Sequence, residues 1–334
     1  MKNKIFSAVL IISVATLFSC NSSSTQKKIN NKNTVTTEKQ INVPVFNADS
    51  AFEYVKKQTD FGPRVPNTKA QLQCAKYLVN TMKKFADTVI VQHCKVRAYN
   101  NDILEIQNII SIFNPKASER ILFGAHWDSR PYADHDPDKK NLWTPIDGAN
   151  DGASGVGVLM EVGRQLSLQN PNIGVDIIFF DGEDYGEPQS MQSNKQDTWG
   201  LGAQYWAKNP HEYGYTAKYG VLLDMVGAKN IVFPRESFSD YYASNIVDKV
   251  WGIAESLNYD NYFVNKKGSY IDDDHYYINK LIGIPMIDVI HLDPNSTNGT
   301  FFDHWHTLKD NIDIIEPQSL KIVGDVMLNV IYRE

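Results

Sequence analysis

The stretch FFDGEDYGE at residues 179–187 concentrates acidic side chains directly after a run of apolar residues. Its carboxylates belong to Asp181, Glu183, Asp184 and Glu187. Carboxylates this close raise one another's pKa, because each disfavours ionisation of its neighbours. A bound cation or a shared proton would offset the repulsion, so the stretch could hold a metal or move protons. We interpret Asp181 as a turn-forming residue and Glu187 as a solvated loop charge.

Further histidines and acids stand where other predicted strands end or where a helix begins. They are His126 and Asp128 in LFGAHWD, Asp151 in DGANDGASG, Asp224 in VLLDMVG, and His304 and His306 in FFDHWHT. Imidazole and carboxylate ligands together suit zinc. Each residue alone is a weak signal, since a single His is more often a hydrogen-bonded core residue and Asp151 could simply cap its helix. Their recurrence at several element ends predicts a metal site.

The order of the predicted elements explains how these groups could meet. Apolar residues recur at helical spacing in residues 67–85, 149–168 and 240–257, while runs such as VDIIFF and YGVLLD predict buried strands. Strands that alternate with helices predict an α/β fold. We expect a single domain with a central, twisted, mostly parallel mixed β-sheet flanked by helices. The carboxyl ends of the parallel strands would then carry the functional groups.

The start of the chain predicts export and lipidation. Residues 1–19 contain two early lysines and a short apolar run, which is typical of a signal peptide. The LFSC that follows resembles the lipobox of bacterial lipoproteins, so Cys20 is the expected lipidation site. An ordinary signal peptide with an incidental Cys20 is the alternative. Residues 20–42 are polar and are predicted to be a flexible tether, and residues 43–334 the catalytic α/β domain.

Composition limits the partners and the location. The chain has 334 residues and a net charge of −6 at pH 7, which argues against a nucleic-acid partner because that partner requires a basic face. We expect a lipid-anchored protein of the bacterial cell envelope, periplasm-facing or at the outer membrane, with membrane contact only through the lipid. Cys74 and Cys94 could pair in an oxidising compartment or stay separate as buried thiols.

Several stretches of the chain resemble one known superfamily. They are FGPRVPNT, HWDSRP, GANDGASGVGVLMEVGR, FFDGEDYG, LLDMVG, DDDHYYI, GIPMIDVIHLDP and HWHTLKDNID. Together they resemble the M28 zinc metallopeptidase superfamily and, within it, the animal-type glutaminyl-peptide cyclotransferases, or glutaminyl cyclases. The resemblance covers roughly residues 45–334 and implies the α/β fold of zinc exopeptidases.

The resemblance implies a metal site with one zinc ion per chain. Its ligands would be Asp151, Asp184 and His306, and Glu183 would be the residue that transfers the proton. The animal enzymes have two consecutive Glu where this chain has Glu183 followed by Asp184. Because Asp184 is one methylene shorter, either the backbone or the metal must shift to keep the bond.

The resemblance also implies the surroundings of the zinc ion. Asp224 and Asp273 would form an acidic network around Glu183 and raise its pKa. Trp199 and Trp305 would bind the substrate as pocket walls. The aromatic side chains that could make this pocket dry are Trp199, Trp305, Phe301 and Phe302. Core packing is the alternative for each of them.

The implied reaction converts the N-terminal glutamine of a peptide or protein into pyroglutamate. The α-amine attacks the γ-amide carbon and ammonia leaves, so the chain would be an acyltransferase. The enzyme must hold the amine close to the amide, polarise the carbonyl group and protonate the leaving nitrogen.

Two other functions are compatible with the motifs. A two-zinc M28 aminopeptidase would use Glu183 to activate water and would recruit His126 to a second metal. Its five ligands would be His126, Asp151, Asp184, Asp224 and His306. The number of zinc ions, the DDDH stretch and the tryptophan beside His306 discriminate the two enzymes. A non-catalytic binding module is the third candidate, and the retention of Glu183 and of every candidate ligand argues against it.

Overall fold

The computed structural model describes residues 42–188, 190, 191, 193 and 195–334. Within these residues the chain forms a mixed α/β domain, in which helices cover both faces of a central sheet. The fold class predicted from the sequence is confirmed. The predicted signal peptide, Cys20 and all but the last residue of the predicted tether lie outside the described residues.

The sheet is mostly parallel. The described strands are β1 Thr88–Arg97, β2 Ile103–Phe113, β3 Arg120–His126, β4 Gly174–Phe180, β5 Gly220–Asp224, β6 Phe233–Arg235, β7 Phe263–Lys267 and β8 Met286–Ile290. Six of them form the central sheet in the order β1-β2-β4-β3-β5-β8, and β6 pairs with β7. Strands β3, β4, β5 and β8 are parallel, whereas β2 is antiparallel to β1 and β4. β1 and β2 must be antiparallel, because residues 98–102 are too few for the crossover that a parallel pair needs.

Each central strand is buried on both faces. In β4, Ile177 and Phe179 belong to one apolar cluster, and Ile178 and Phe180 belong to another on the opposite face. Successive side chains of a strand point to opposite faces, so a strand covered on both sides must be apolar throughout. This explains why VDIIFF is a continuous apolar run.

Helices pack on the two faces of the sheet. The described helices are α1 Ala48–Thr59, α2 Lys69–Met82, α3 Ala153–Leu168, α4 Leu201–Lys208, α5 Ser237–Ser256, α6 Asp274–Leu281 and α7 Pro317–Tyr332. Side chains of α1, α2, α3, α5 and α7 share one apolar cluster, while α4 and α6 contribute to the opposite one. The apolar spacing in the sequence predicted α2, α3 and α5. Among the described residues, no helix combines the length and the apolarity needed to cross a membrane.

The two cysteines of the described residues are both free and buried. Cys74 and Cys94 lie in different apolar clusters. Burial raises the pKa of each thiol to about 12. The sequence left open whether these cysteines form a disulfide or remain separate. In the structure they are two separate buried thiols.

Candidate active site and metal centre

The parallel strands end at one edge of the sheet and bring the acidic and imidazole side chains together there. His126 is the last residue of β3, Asp224 is the last residue of β5, and DGED directly follows β4. The register pairs His126 with Phe180, so the end of β3 lies beside the start of DGED. Asp151 stands just before α3, but the N-cap of that helix is Gly152, which makes no side-chain hydrogen bond. Asp151 is therefore free for another role.

Among the described residues, four groups have a spacing that suits a metal ion, and two of them lie at this edge of the sheet and share Asp151; the first is Asp151, Asp184 and His306. Nε2 of His306 lies 3.3 Å from Oδ1 of Asp184 and 3.7 Å from Oδ2 of Asp151. Ligand atoms at ordinary zinc distances are about 3.3 Å apart around a tetrahedron. Both carboxylate oxygens of Asp184 are buried and have no hydrogen-bond partner among the described residues. The donor set and its spacing therefore fit a metal ion.

His126, Asp151 and Asp224 form the second group, which shares Asp151 with the first. Nε2 of His126 lies 2.9 Å from Oδ1 of Asp151 and 3.2 Å from Oδ1 of Asp224. These are hydrogen-bond distances, so the imidazole can hold the two carboxylates without an ion between them. The ring packs so closely on Gly152 that a Cβ there would lie 2.4 Å from it. Glycine at this position is therefore a requirement of the site.

A buried ion pair between Arg130 and Asp134 supports the His306 side of the site. The guanidinium group donates two hydrogen bonds to Asp134, at 2.9 and 2.7 Å. Oδ1 of Asp134 lies 3.1 Å from Nδ1 of His306, so it orients the ring with Nε2 facing Asp184. Arg130 also donates to the backbone carbonyl of Asp184 at 3.0 Å. Sequence reasoning missed this pair, although an arginine and an acid four residues apart were a visible signal.

Two further buried carboxylates hold the backbone of the site. Asp128 accepts hydrogen bonds from the N–H groups of Glu183 and Asp184, each at 3.1 Å. Asp310 accepts a hydrogen bond of 3.1 Å from the N–H of Asp151 and one of 2.7 Å from the preceding residue. Each carboxylate thus fixes two successive amides. The sequence marked Asp128 only as a strand-end residue and missed Asp310, because neither role has a local pattern.

Glu183 lies buried among charged groups that set its proton affinity. Burial raises the pKa of Glu183 well above its usual value; His126 lowers it, and the charge of Asp273 raises it again. Burial also raises the pKa of Asp224 to about 8, and the charge of Asp151 adds to this effect. A carboxyl group with a raised pKa can accept and return a proton near neutral pH. Of the two acids predicted to surround Glu183, Asp273 raises its pKa, and Asp184 and Asp274 add to this effect.

The DDDH stretch is only partly solvated. Asp272 is exposed, whereas Asp273 and Asp274 are buried. Asp273 is the N-cap of α6 and accepts a hydrogen bond of 2.5 Å from the N–H of Asp274. Nε2 of His275 lies 3.0 Å from the carboxylate of Glu236, which caps α5. His275 therefore joins the starts of two helices.

A cavity of about 300 Å³ opens over these groups. Its acidic and imidazole lining residues are Asp151, Glu183, Asp184, Asp224, Asp273 and His306, and its aromatic wall includes Trp199, Phe301 and Trp305. Ring centroids of Trp305 and His306 are 3.6 Å apart, and those of Trp199 and His306 are 6.0 Å apart, with the rings stacked in both pairs. The structure thus gathers the predicted site residues around one cavity, with His126 hydrogen-bonded to two of them. Cys20, the predicted lipidation site, lies outside the described residues.

Three side-chain predictions need correction. Asp181 lies in the bend after β4, but its side chain is fully buried and accepts a hydrogen bond of 2.8 Å from the N–H of Gln107, which joins this bend to β2 and is not a feature of a simple turn residue. Phe302 does not line the cavity but is buried in a neighbouring apolar cluster. Glu187 is half-buried and accepts a hydrogen bond of 2.6 Å from Ser193, so it is not a freely solvated charge.

Residues 108–331 match the model of a protein family described as peptidase family M28. The chain belongs to peptidase family M28. The resemblance to this family predicted from the sequence motifs is confirmed, and the matched residues include β3, β4, β5 and β8, whose ends carry the site.

Two solved structures are similar to this M28 protein over most of its length. A Zn-dependent exopeptidase from Parabacteroides distasonis is 51% identical, has a TM-score of 0.86, and the match covers 88% of this chain and 100% of that one. A glutaminyl cyclase from Bacteroides thetaiotaomicron, bound to N-acetylhistamine, is 49% identical with the same TM-score of 0.86 and the same coverage of 88% and 100%.

A curated relative shows a more distant similarity. The glutaminyl-peptide cyclotransferase of Gloydius blomhoffii is 25% identical over 249 residues, and the match covers 66% of this chain. The M28 chain spans 63% of the length of that relative.

Proposed function

We propose that this M28 protein is a zinc-dependent glutaminyl-peptide cyclotransferase. It would convert the N-terminal glutamine of peptides or proteins into pyroglutamate and release ammonia. The observation that carries the proposal is the position of Glu183, a buried carboxyl group with a raised pKa beside a metal-ligand group, in a small cavity walled by tryptophans. Cyclisation uses no water nucleophile, so a cavity with aromatic walls suits it.

The residues of the cavity account for the proton transfers. As the α-nitrogen bonds to the γ-amide carbon, Glu183 takes one proton from that nitrogen. The bond from the γ-carbon to the amide nitrogen then breaks, and Glu183 gives the proton to the departing nitrogen, which leaves as ammonia. Glu183 ends the reaction in the form in which it began. A zinc ion held by Asp151, Asp184 and His306 would polarise the γ-carbonyl group.

The spacing of the two ligand groups supports one zinc ion per chain. Around His306 the nitrogen-to-oxygen distances are 3.3 and 3.7 Å, which suits ligands that face a common ion. Around His126 the corresponding distances are 2.9 and 3.2 Å, and the imidazole itself holds the carboxylates. His126 would then be a positioning residue for Asp151 and Asp224.

A solved structure that is similar to this chain supports the cyclotransferase function. The relative from B. thetaiotaomicron is described as a glutaminyl cyclase and shares 49% of residues over 88% of this chain. The N-acetylhistamine bound to that protein carries an imidazole ring, which is itself a zinc ligand. The use of Asp184 in place of a second Glu is compatible with a metal site, because its two oxygens are buried and accept no hydrogen bond among the described residues.

A two-zinc aminopeptidase is the second candidate function. It is favoured by the position of Asp151, whose Oδ1 faces His126 and whose Oδ2 faces His306, as a carboxylate that bridges two metals would. The relative from P. distasonis, described as a Zn-dependent exopeptidase, is similar to the same extent.

The assay that tests the proposal offers zinc-loaded protein two substrates, a peptide that begins with Gln and a leucyl chromogenic amide. Cyclotransferase activity is expected to release ammonia and a pyroglutamyl peptide from the first substrate and to leave the second intact. Hydrolysis of the leucyl amide without pyroglutamate formation would refute it. Glu183→Gln should lose this activity. Glu212→Gln is the control and should retain it, because Glu212 is an exposed acid that does not line the cavity.

We also propose that the protein is anchored in the bacterial cell envelope by a lipid on Cys20. The support is the short apolar run and the LFSC sequence at the start of the chain. Labelling with a radioactive fatty acid should mark the wild-type protein and not Cys20→Ala. Equal labelling of both proteins, or of neither, would contradict the proposal.

A further inference from the structure

The mouth of the catalytic cavity can be located from the exposure of its walls. Among the lining residues that the structure describes, Tyr270 and Asp272 are exposed, whereas the others are buried or half-buried. Tyr270 is 60% exposed, with its ring at the rim. A peptide whose first residue occupies the cavity can therefore leave past Tyr270 and Asp272.

Tyr270 is the first member of a continuous group of surface aromatic rings. We call this group the aromatic ledge; its members are Phe238, Tyr241, Tyr242, Tyr270 and Tyr276. The centroid of Phe238 lies 4.9 Å from that of Tyr270, 4.6 Å from that of Tyr276 and 6.3 Å from that of Tyr242. Tyr241 continues the row, 4.8 Å from Tyr242.

The ledge is exposed although it is aromatic. Tyr241 is 72% exposed and Tyr242 37% exposed, while Phe238 is half-buried beneath them. Isolated exposed aromatic residues are ordinary, but a contiguous group beside a cavity is typical of a binding surface. The rings pack on one another, so little side-chain entropy would be lost when a ligand covers them.

We propose that the aromatic ledge binds the second to fifth residues of the substrate peptide and favours apolar or aromatic side chains there. The proposal rests on the proposed function for the identity of the first residue. In cyclisation both the amine and the side chain of that residue react, so it must enter the cavity completely. Only its carbonyl end can continue outward, and the ledge begins where the cavity opens.

The length of the ledge sets the number of peptide residues that it can cover. Steps of 4.9, 6.3 and 4.8 Å lead from Tyr270 through Phe238 and Tyr242 to Tyr241. These steps added together give the greatest length that the row can have. An extended peptide advances about 3.3 Å per residue, so at most about five residues span the row, and the second to fifth residues of the substrate fit within it. Alternate side chains of that peptide would face the rings.

The test compares two peptides, Gln-Phe-Ala-Phe-Ala-amide and Gln-Ser-Ala-Ser-Ala-amide, on the zinc-loaded protein. The first readout is kcat and KM for pyroglutamate formation. The second is calorimetric binding of the corresponding pyroglutamyl peptides. The wild-type protein should prefer the Phe peptide by about 2- to 10-fold in both readouts, through KM more than kcat, as expected for one or two aromatic contacts.

Variants of exposed residues test the role of the rings. Tyr270→Ala should abolish most of the preference, and Tyr270→Phe should retain it because the ring is kept. Tyr213→Ala is the matched control, since Tyr213 is fully exposed beside a different cavity. Its preference should equal that of the wild-type protein.

The outcomes separate this proposal from the proposed function. Cyclisation without any preference, or a preference that Tyr270→Ala retains, would overturn the ledge and leave the cyclotransferase standing. A Tyr270-dependent preference in the binding of pyroglutamyl peptides, without cyclisation of either substrate, would support the ledge and overturn the proposed function. Tyr241→Ala supplies a further outcome. If it changes only self-association or vesicle binding and leaves the peptide preference unchanged, the ledge binds another partner and the proposal is overturned.

Discussion

One zinc ion should bind per chain, and His306 and His126 should differ in their importance for it. The variants His306→Ala and His126→Gln test this difference. His306→Ala removes the ring nitrogen that lies 3.3 Å from Asp184. His126→Gln removes the imidazole but keeps an amide N–H that can still donate to Asp151 or Asp224.

Typical free energies of zinc binding give the expected size of the loss in zinc affinity for each variant. A four-ligand protein zinc site provides roughly 10–16 kcal/mol of binding free energy, so each ligand contributes about 3 kcal/mol. His306→Ala should therefore weaken zinc binding by about two orders of magnitude. Loss of a hydrogen bond that orients a ligand costs about tenfold or more, and His126→Gln retains a donor, so it should weaken binding by about tenfold at most.

The assay is the zinc content by mass spectrometry after dialysis against a chelator, together with affinities from chelator competition. We expect one zinc ion in the wild-type protein and in His126→Gln, and almost none in His306→Ala. Two zinc ions in the wild-type protein, reduced to one in each variant, would refute the reasoning and favour the aminopeptidase.

Three other predictions concern buried carboxylates. Glu183→Gln should lower kcat by about 10²- to 10⁴-fold with unchanged zinc content, because the proton carrier is lost. Asp128→Asn should lower the free energy of unfolding by about 1–3 kcal/mol in urea, because the N–H of Glu183 or Asp184 loses its acceptor. Burial alone would raise the pKa of Glu236, but the charge and hydrogen bond of His275 lower it to about 2. The ionised form of Glu236 therefore stabilises the fold at pH values above its usual pKa of about 4.3, by about 3 kcal/mol. This stabilisation is lost as the pH falls towards about 2. The difference in unfolding free energy between the wild-type protein and Glu236→Gln should therefore close over that pH range.

Each of these predictions has a control and a contrary result. Glu183→Gln with a kcat near that of the wild-type protein would exclude Glu183 as the proton carrier. Asp260→Asn changes an exposed acid and should leave the unfolding free energy unchanged, whereas an equal loss in Asp128→Asn and Asp260→Asn would contradict the hydrogen-bond argument. Glu255 is exposed on the same helix α5, so Glu255→Gln is the matched control and should leave the unfolding free energy unchanged. A gap for Glu236→Gln that stays constant over that range would exclude the His275 ion pair as its cause.

Much of the fold could be predicted from the sequence because helices and strands leave local patterns of apolar residues. A helix such as α2 shows its buried stripe in the spacing of apolar residues, and a doubly covered strand such as β4 shows a continuous apolar run. Helices α1 and α6 were not predicted. In α1 the buried Ala51 and Val55 stand four residues apart, so a helical signal was present in the sequence and was missed. Helix α6 has only eight residues, too few for its spacing to carry a clear signal.

The site was predictable to the level of its residue types. Acids and histidines at strand ends follow from the rule that parallel strands present their carboxyl ends at one edge, and the motifs supplied the family. The supporting contacts were not predictable in this way. Asp310 holds the amide of Asp151 across 159 residues of sequence, and no local pattern reports such a contact.

The sequence by itself determined which side chains could serve as ligands and proton carrier, because residue type and position at a strand end are properties of the chain. The tertiary structure alone decided which of those groups meet. His126 and His306 come from distant segments of the chain, and packing brings both rings to opposite oxygens of Asp151. The aromatic ledge likewise exists only because α5, α6 and the segment around Tyr270 converge at the mouth of the cavity.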